Sequence, residues 1–377
     1  MKVALVHYWL VGMRGGERVL EAFCRMFPKA DLFTHVYDPG AVSETIRRHR
    51  IRTTFVSRLP LSSKLYQAYL PVMPRALEAL DLSGYDLVIS SESGPAKGVI
   101  PPPDALHLCY CHSPMRYLWD QYHVYRGGAS LAPRVAMSAF GPRLRIWDVT
   151  SAARVDRFIA NSRHVAARIK KYWRRQATVI HPPVSVEQFA PVSASERGGY
   201  YLWVGELAPY KRPDLAVEAF SRMNRELLVI GGPTARARAL AKKAGVTVQF
   251  LGNVPFDVLR YHLARCRGLI FPGEEDFGIV PVEAMASGRP VIALARGGVL
   301  DIIQHGVTGL LFDKQTVEDL IAAVTAFEQR RLDELDPEHL VAQARQFSEL
   351  RFRGGFEQLL EETRRETEIC SDGYQRS

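Results

Sequence analysis

The sequence predicts an α/β protein of two domains, each a doubly wound parallel sheet. Short apolar runs alternate with helical patterns along almost the whole chain, as βα units require. Several of these runs end in glycine-bearing turns that lead into a helix, at residues 12–16, 205–212, 273–278 and 296–299. At 377 residues the chain is long enough for two ordinary domains.

Hydrophobic residues at 47% and charged residues at 24% are typical of a soluble globular protein. The opening Met1-Lys-Val-Ala-Leu-Val-His-Tyr-Trp9 reads as a buried strand. Its apolar run is too short and too soon interrupted for a signal peptide, and no stretch approaches a membrane span. Cys24, Cys109, Cys111, Cys266 and Cys370 are an odd, scattered set without zinc or redox spacing. They read as buried thiols of a reducing cytosol. The net charge of +9 admits nucleic acid, an anionic membrane surface or an anionic substrate as partner. No helix-turn-helix, zinc or RNA-binding sheet motif accompanies it, which weighs against nucleic acid.

The first strand, residues 3–7, leads through Gly12-Met-Arg-Gly-Gly16 into a helix with Val19, Leu20, Phe23, Met26 and Phe27 on one face. Gly15 and Gly16 let backbone approach a ligand at that helix start, although a Gly-Gly turn is also a common connector. Further strands are expected at residues 31–37, 53–57, 86–90 and 106–111. The last runs into Tyr110-Cys-His-Ser-Pro-Met-Arg-Tyr-Leu-Trp-Asp120. His112 thus sits at the carboxyl end of a strand, where open α/β sheets bind ligands; a lone histidine is more often structural. Residues 131–156 form a long helical pattern that Gly141-Pro142 is expected to break in two. Its Arg134, Arg143, Arg145 and Arg154 lie beside Val135, Met137, Phe140, Leu144 and Trp147. That pattern suits either an anionic bilayer or a solvated face over a packed core. Residues 157–162 read as a strand ending in a cap, Asn161 or Ser162, for the helix that carries Ile169 and Tyr172.

Ile180-His-Pro-Pro183 is a stiff strand exit, and residues 193–199 are small, polar and Gly-containing, as a connector between domains should be. The boundary is placed near residue 190, giving domains 1–190 and 191–347. A closing helix at about 348–369 returns to the first domain, with a tail fraying from Cys370. The second series opens with a strand at 200–206. Lys211 then precedes a helix with Pro213 in its first turn. A lysine there opposes the helix dipole, and an anion held between it and the amides would explain its presence. Strands at 226–230, 246–252 and 268–271 follow, with a helix at 255–266 and Asn253 in a turn.

The chain's organising stretch is Phe271-Pro-Gly-Glu-Glu-Asp-Phe-Gly-Ile-Val-Pro-Val-Glu-Ala-Met-Ala-Ser-Gly-Arg-Pro-Val-Ile-Ala293. It reads strand–turn–helix–turn–strand, with the helix at 279–287. Gly278 and Ile279 offer N–H groups at the helix start, an anion site made of backbone. Glu275 stands just before the helix and Glu283 on its second turn. A phosphate on the amides, with a polyol on the acids, suits this chemistry. The frame Glu-x-Phe-Gly-x-x-x-x-Glu-Ala-x-Ala-x-Gly-x-Pro-Val resembles the signature of the retaining nucleotide-sugar glycosyltransferases of family 4.

The resemblance implies the GT-B architecture: two Rossmann-like domains facing across a cleft, acceptor-binding then donor-binding. It implies Lys211 and the Gly278 and Ile279 amides on the donor diphosphate, beside Phe277, with Gly15 and Gly16 at the donor phosphate or the acceptor. Glu283 would hold the ribose, Glu275 the sugar hydroxyls, and Asn253 would lie by the base. The run from His112 to Asp120 resembles a mannosyltransferase-like branch. It implies GDP-mannose as donor, with a UDP-hexose as alternative, and His112 near the transferring sugar. His112, Glu275 and Lys211 are thus the implied catalytic residues. The acceptor would be a glycan or a polyprenyl-diphosphate-linked oligosaccharide of cell-surface polysaccharide synthesis. The protein would then be cytoplasmic, with peripheral contact at the inner face of the cell membrane. The family's Gly-Arg-x-x-x-x-Lys motif departs here, because Glu206 occupies the arginine position and reverses its charge; either Arg212 is the replacement or Glu206 faces a different partner. No Asp-x-Asp pair occurs, which points to transfer without a metal, and no cofactor is implied. A nucleotide-sugar epimerase and a non-catalytic nucleotide-sugar binder remain as rivals. A dehydrogenase is disfavoured, since no Gly-x-Gly-x-x-Gly follows the first strand of either half.

Overall fold

The computed structural model describes residues 1–232 and 235–375. The chain divides into two compact units, Met1–Pro183 with Phe352–Ser377, and Val184–Arg351.

The first unit holds seven parallel strands: β1 (Val3–His7), β2 (Asp31–Thr34), β3 (Arg50–Thr53), β4 (Leu87–Glu92), β5 (Leu106–Cys111), β6 (Arg157–Ala160) and β7 (Ala177–Val179). They pair in the order β3-β2-β1-β4-β5-β6-β7. The central β1 and β4 are buried along their whole length, so their entries read as apolar runs rather than alternating ones, and β4 ends in the buried polar Ser90-Ser91-Glu92. The strand expected at 53–57 is displaced. β3 ends at Thr53, and Phe55–Arg58 is a 3₁₀ turn whose start is capped by Thr54 Oγ1, accepting from Val56 N at 3.4 Å. Thr-Thr-Phe-Val has strand composition, but the threonine hydroxyl offers the backbone a local alternative to the ladder.

The expected break at Gly141-Pro142 does not occur, and Leu131–Ser151 is one helix with Pro142 inside it. Proline removes one helical N–H bond, and packing around the site compensates. Tyr122 lies against Gly141, the Arg145 guanidinium sits 4.4 Å from the centre of the Tyr122 ring, and Arg145 Nε donates to Leu118 O at 2.6 Å. Of the two candidate caps for Arg163–Trp173, Ser162 is the one that accepts, from Val165 N at 3.1 Å. The closing helix, Glu349–Gln375, is helical well past Cys370, and the final two residues of the expected frayed tail lie outside the described ones. Phe352 and Phe356 bring this helix onto the first unit, their ring centroids 5.3 and 4.8 Å from Phe23.

The second unit holds β8 (Tyr201–Val204), β9 (Leu227–Ile230), β10 (Val248–Gly252), β11 (Leu269–Phe271), β12 (Val291–Leu294) and β13 (Gly309–Phe312). All are parallel, in the order β10-β9-β8-β11-β12-β13. The polar segment 193–199 is part of this unit: Arg265 bonds Glu196 at 3.0 Å, and Gly198 N donates to Arg265 O at 2.8 Å. In each sheet the strand order reverses once, between β1 and β4 and between β8 and β11. Crevices at the carboxyl ends of such strand pairs are where doubly wound folds bind ligands.

Candidate functional site

The candidate residues follow the carboxyl ends of strands at or near these two reversal points, with Asn253 further out, after the edge strand β10. In the second unit, β8 runs out through Gly205 and Glu206 into a 3₁₀ turn, Pro209–Lys211, and Arg212 takes a left-handed conformation before the helix Pro213–Met223. β11 runs out into the turn 272–278. The two exits meet in an ion pair, Lys211 Nζ to Glu275 Oε1 at 2.8 Å, with both side chains less than one-fifth exposed. Burial would push the Lys211 ammonium down, but the Glu275 charge outweighs it, helped by Tyr210 and Glu206, and holds it above its ordinary value.

Gly278 caps the helix Ile279–Ala286 at φ 102°, a conformation that suits glycine and strains any residue with a Cβ. The first amides of this helix have no partner within it, and its cap lies three residues after Glu275. Its backbone is pinned by Gly298 N, which donates to Glu275 O at 2.8 Å. Glu283 is only 4% exposed, among the buried Val282, Ala284 and Met285. Asn253 packs its amide against the Gly231-Gly232 turn at the end of β9.

Two residues are placed differently from the simplest reading of the signature. The Phe277 ring is buried and packs on Phe347, their centroids 5.7 Å apart, so its side chain belongs to the core. Only its backbone is available to a ligand. Arg212 turns toward Asp214, its Nε 3.0 Å from Oδ2, in the first turn of its own helix. Glu206 lies close enough to Lys211 to raise its affinity for the proton. The lysine is therefore set among carboxylates, and the nearest alternative cation is engaged elsewhere.

In the first unit, Gly15 and Gly16 open the helix Gly15–Met26 after β1. A Cβ at Gly16 would collide with the Tyr8 hydroxyl and reach within 3.6 Å of His112 Nε2. The glycine is thus required by close approach. His112 follows β5; its N–H donates to Glu92 O at 2.7 Å, and Asn161 Nδ2 donates to its carbonyl at 3.0 Å. His112 Nε2 lies 2.8 Å from Ser91 Oγ at the end of β4. Gly16 and His112 therefore share one cluster, with Tyr8 and Ser91 between them.

Several members of this cluster are not evident from the sequence. Glu17 is buried 3.8 Å from the buried His7. Burial pushes its carboxyl up, but the neighbouring His7 and the amides at the helix start outweigh it and hold the group below its ordinary value. Glu17 also accepts from Arg14 N at 3.0 Å and so satisfies an amide at the start of its helix. Behind Ser91, Glu92 Oε2 accepts from the Ala96 and Lys97 amides, both at 2.7 Å, and Lys97 bridges Glu92 and Asp148. Trp119 and Trp173 both donate to Asp148 Oδ2 at 2.8 Å. This buried network fixes the end of β4, and no local sequence pattern announces it.

Two doubly wound parallel-sheet units in one chain form the GT-B fold class, and comparison with known proteins agrees. Residues 13–188 match the model of Glycosyltransferase Family 4, and residues 185–347 that of Glycosyl transferases group 1. The chain belongs to this glycosyltransferase family. Sucrose-phosphate synthase from Thermosynechococcus elongatus has the same fold at a TM-score of 0.71 and 19% identity, over 96% of this chain and 99% of that one. Anabaena HepE, solved with UDP and glucose, matches at 0.67 and 16% identity, over the same 96% and 99%. A D-inositol 3-phosphate glycosyltransferase of Geodermatophilus obscurus is 29% identical over 222 residues, 50% of this chain and 49% of its own. The chain spans about half the length of the curated relatives it matches. Among the described residues, no helix is long and apolar enough to cross a membrane.

Proposed function

We propose that the protein moves a hexose, with retention, from a nucleotide-sugar donor to a glycan or lipid-linked acceptor. The observation that carries this reading is Lys211 paired with Glu275 at the β8/β11 switch point, beside the Gly278-capped helix start. A cation and backbone amides converging there suit a diphosphate, and they stabilise the charge that grows on it as the sugar leaves. Glu275 would then take the sugar hydroxyls and Glu283 the ribose. Asn253 would lie by the base and His112 would contact the transferring sugar. The departing phosphate oxygen would accept the acceptor's proton, and no metal is required by this scheme.

GDP-mannose is the proposed donor, from the resemblance carried by residues 112–120. A UDP-hexose is the second reading, favoured by the fold neighbour HepE, which was solved with UDP-glucose. The acceptor is proposed to be linked to polyprenyl diphosphate, in cell-surface polysaccharide synthesis. A peripheral site on the cytoplasmic face of the membrane would supply it. Supporting this, residues 121–147 contain no Asp or Glu. Their helix exposes Leu131 at 75% and Ile146 at 66%, near Arg134 and Arg143.

A thermal-shift screen against GDP- and UDP-sugars tests the reading, since a ligand that binds only the folded state raises its stability by mass action. Stabilisation by one nucleotide series is expected, followed by slow hydrolysis or transfer. A donor that binds yet is never hydrolysed or transferred would leave a binding protein, and no stabilisation by any nucleotide sugar would end the proposal.

A further inference from the structure

Arg289, in the Gly288-Arg289-Pro290 turn of the signature stretch, is 1% exposed. Among the described residues, neither its Nε nor its Nη2 has a hydrogen-bond partner. Those two nitrogens form one edge of the guanidinium, the edge that takes a pair of oxygens from a carboxylate or phosphate. Arg197 Nε is likewise buried without a partner. After burial, the charge of Arg197 is the next largest influence on Arg289, and together they push it down to about 10.

The two arginines lie at one edge of one sheet. Arg197 precedes β8 and Arg289 precedes β12, with residues 265–268 between them at the start of β11. Gly198 N bonds Arg265 O at 2.8 Å, Leu202 N bonds Gly268 O at 3.1 Å, and Leu269 N bonds Pro290 O at 3.0 Å, so the three strand entries are knit together. This is the amino-terminal edge of the sheet, opposite the edge that carries Lys211 and Glu275. The nearby acids are engaged: Glu196 with Arg265 at 3.0 Å and Asp333 with Arg267 at 2.9 Å. Asp333 also acts on Arg289, but its carboxylate is bonded to Arg267, so among the described residues neither Arg289 nor the half-buried Arg197 has an ion pair. A buried guanidinium needs both hydrogen bonds and a counter-charge, and water supplies only the first.

We propose that Arg289 and Arg197 form a second anion site, for a phosphate-sized oxyanion, that ties segment 193–199 to the entry edge of the second sheet. The anion presents two oxygens to the Nε–Nη2 edge of Arg289 and a third to Arg197 Nε. Nothing in this assignment depends on the donor or the reaction.

The test is thermal unfolding of the full chain in rising inorganic phosphate, with chloride exchanged to hold ionic strength constant. A midpoint that climbs with phosphate beyond its response to chloride is expected for the native protein. Arg289→Met keeps the buried volume but removes the fork. Its half-saturating phosphate concentration should rise at least about tenfold, the loss of a charge-assisted contact. Arg197→Gln, at a half-buried position, should shift it in the same direction. Phosphate bound at the Lys211 edge, and its general salting effect, are common to all three proteins and cancel in the comparison. Identical phosphate responses in the native protein and both variants would overturn the proposal. So would a native response no greater than that to chloride, which would leave Arg289 to ordered water alone. If Arg289→Met does not fold, Arg197→Gln decides, and an unchanged half-saturation there refutes the site.

Discussion

Replacing Lys211 by methionine tests the centre of the proposed donor site. The lysine and Glu275 are 2.8 Å apart and largely shielded from solvent. At an effective dielectric of about 20, unit charges at about 4 Å attract by about 4 kcal/mol. Most of that is offset by desolvation, and a hydrogen bond to a charged group nets about 1.5–3 kcal/mol. A bound diphosphate would take over that contact, so Lys211→Met should weaken nucleoside diphosphate binding by roughly 10- to 150-fold. The rate of transfer at saturating donor should fall by about 10²–10³, as when an oxyanion donor is lost. Glu275→Gln is the informative partner, because it removes the group that competes for the lysine. Free nucleoside diphosphate should then bind several-fold more tightly, while the intact nucleotide sugar loses its hydroxyl acceptor and is transferred slowly. Calorimetric titration with both ligands, and initial rates with varied donor, separate these outcomes. Burial disfavours the lysine's charge but Glu275 more than restores it. Its contribution is therefore complete below its ordinary value of 10.5 and is lost only as pH rises through the raised one. The reasoning fails if Lys211→Met binds the diphosphate as well as the native protein. It also fails if Glu275→Gln weakens the free diphosphate as much as the lysine variant does.

Four more outcomes are expected. His35 and His107 are buried and pushed down from 6.5 to about 4; each ring has both nitrogens in hydrogen bonds, one to a backbone carbonyl and the other to a hydroxyl. Because the unfolded chain takes these protons first, stability should be full above 6.5 and decline as pH falls toward 4. The loss amounts to about 2 kcal/mol per histidine by about pH 5; denaturant midpoints at neutral and acid pH check it, and His107→Gln should remove about half of the decline. Phe356→Ala, at a fully buried position against Phe23, should cost about 3–5 kcal/mol in the same unfolding assay. Transfer should persist when a chelator is added to purified protein, and complete loss would put a metal into the mechanism. Binding to anionic vesicles should weaken as salt rises; binding indifferent to salt and lipid charge would remove the membrane-surface proposal.

How much was legible depended on the range of the interactions involved. The central strands β1, β8, β9, β11 and β12 show as apolar runs because a parallel strand covered on both faces needs apolar residues at successive positions, whereas the edge strands β3 and β10 are partly exposed and carry polar residues. The Glu275–Glu283 stretch was legible because its turn, helix start and acids are consecutive, so spacing alone places them together. The same local logic misjudged Phe55–Arg58, where a threonine hydroxyl captured the turn. It also misjudged Pro142, whose lost bond is offset by Tyr122, packed on the helix from outside, and by Arg145, one turn further along the same helix, which reaches out to Leu118. Phe277 sits in the middle of the signature, yet its ring faces Phe347, seventy residues later in the chain.

The sequence by itself determined the alternation of elements, the glycine turns and the acids that bracket the helix at Ile279, because each is decided by neighbours a few residues away. Only the tertiary structure decided who meets whom at the ends of the strands. The reversal of strand order brings Lys211 to Glu275 and sets His112 beside Ser91 and Gly16. Helix packing on the first sheet closes Glu92, Lys97 and Asp148 into one buried network, and the second sheet's strand order leaves Arg289 and Arg197 without an ion pair among the described residues. Charges separated by tens of residues carry no mark of their partner in the chain. Pairing is set by the order in which parallel strands lie side by side, and that order is a property of the packed sheet.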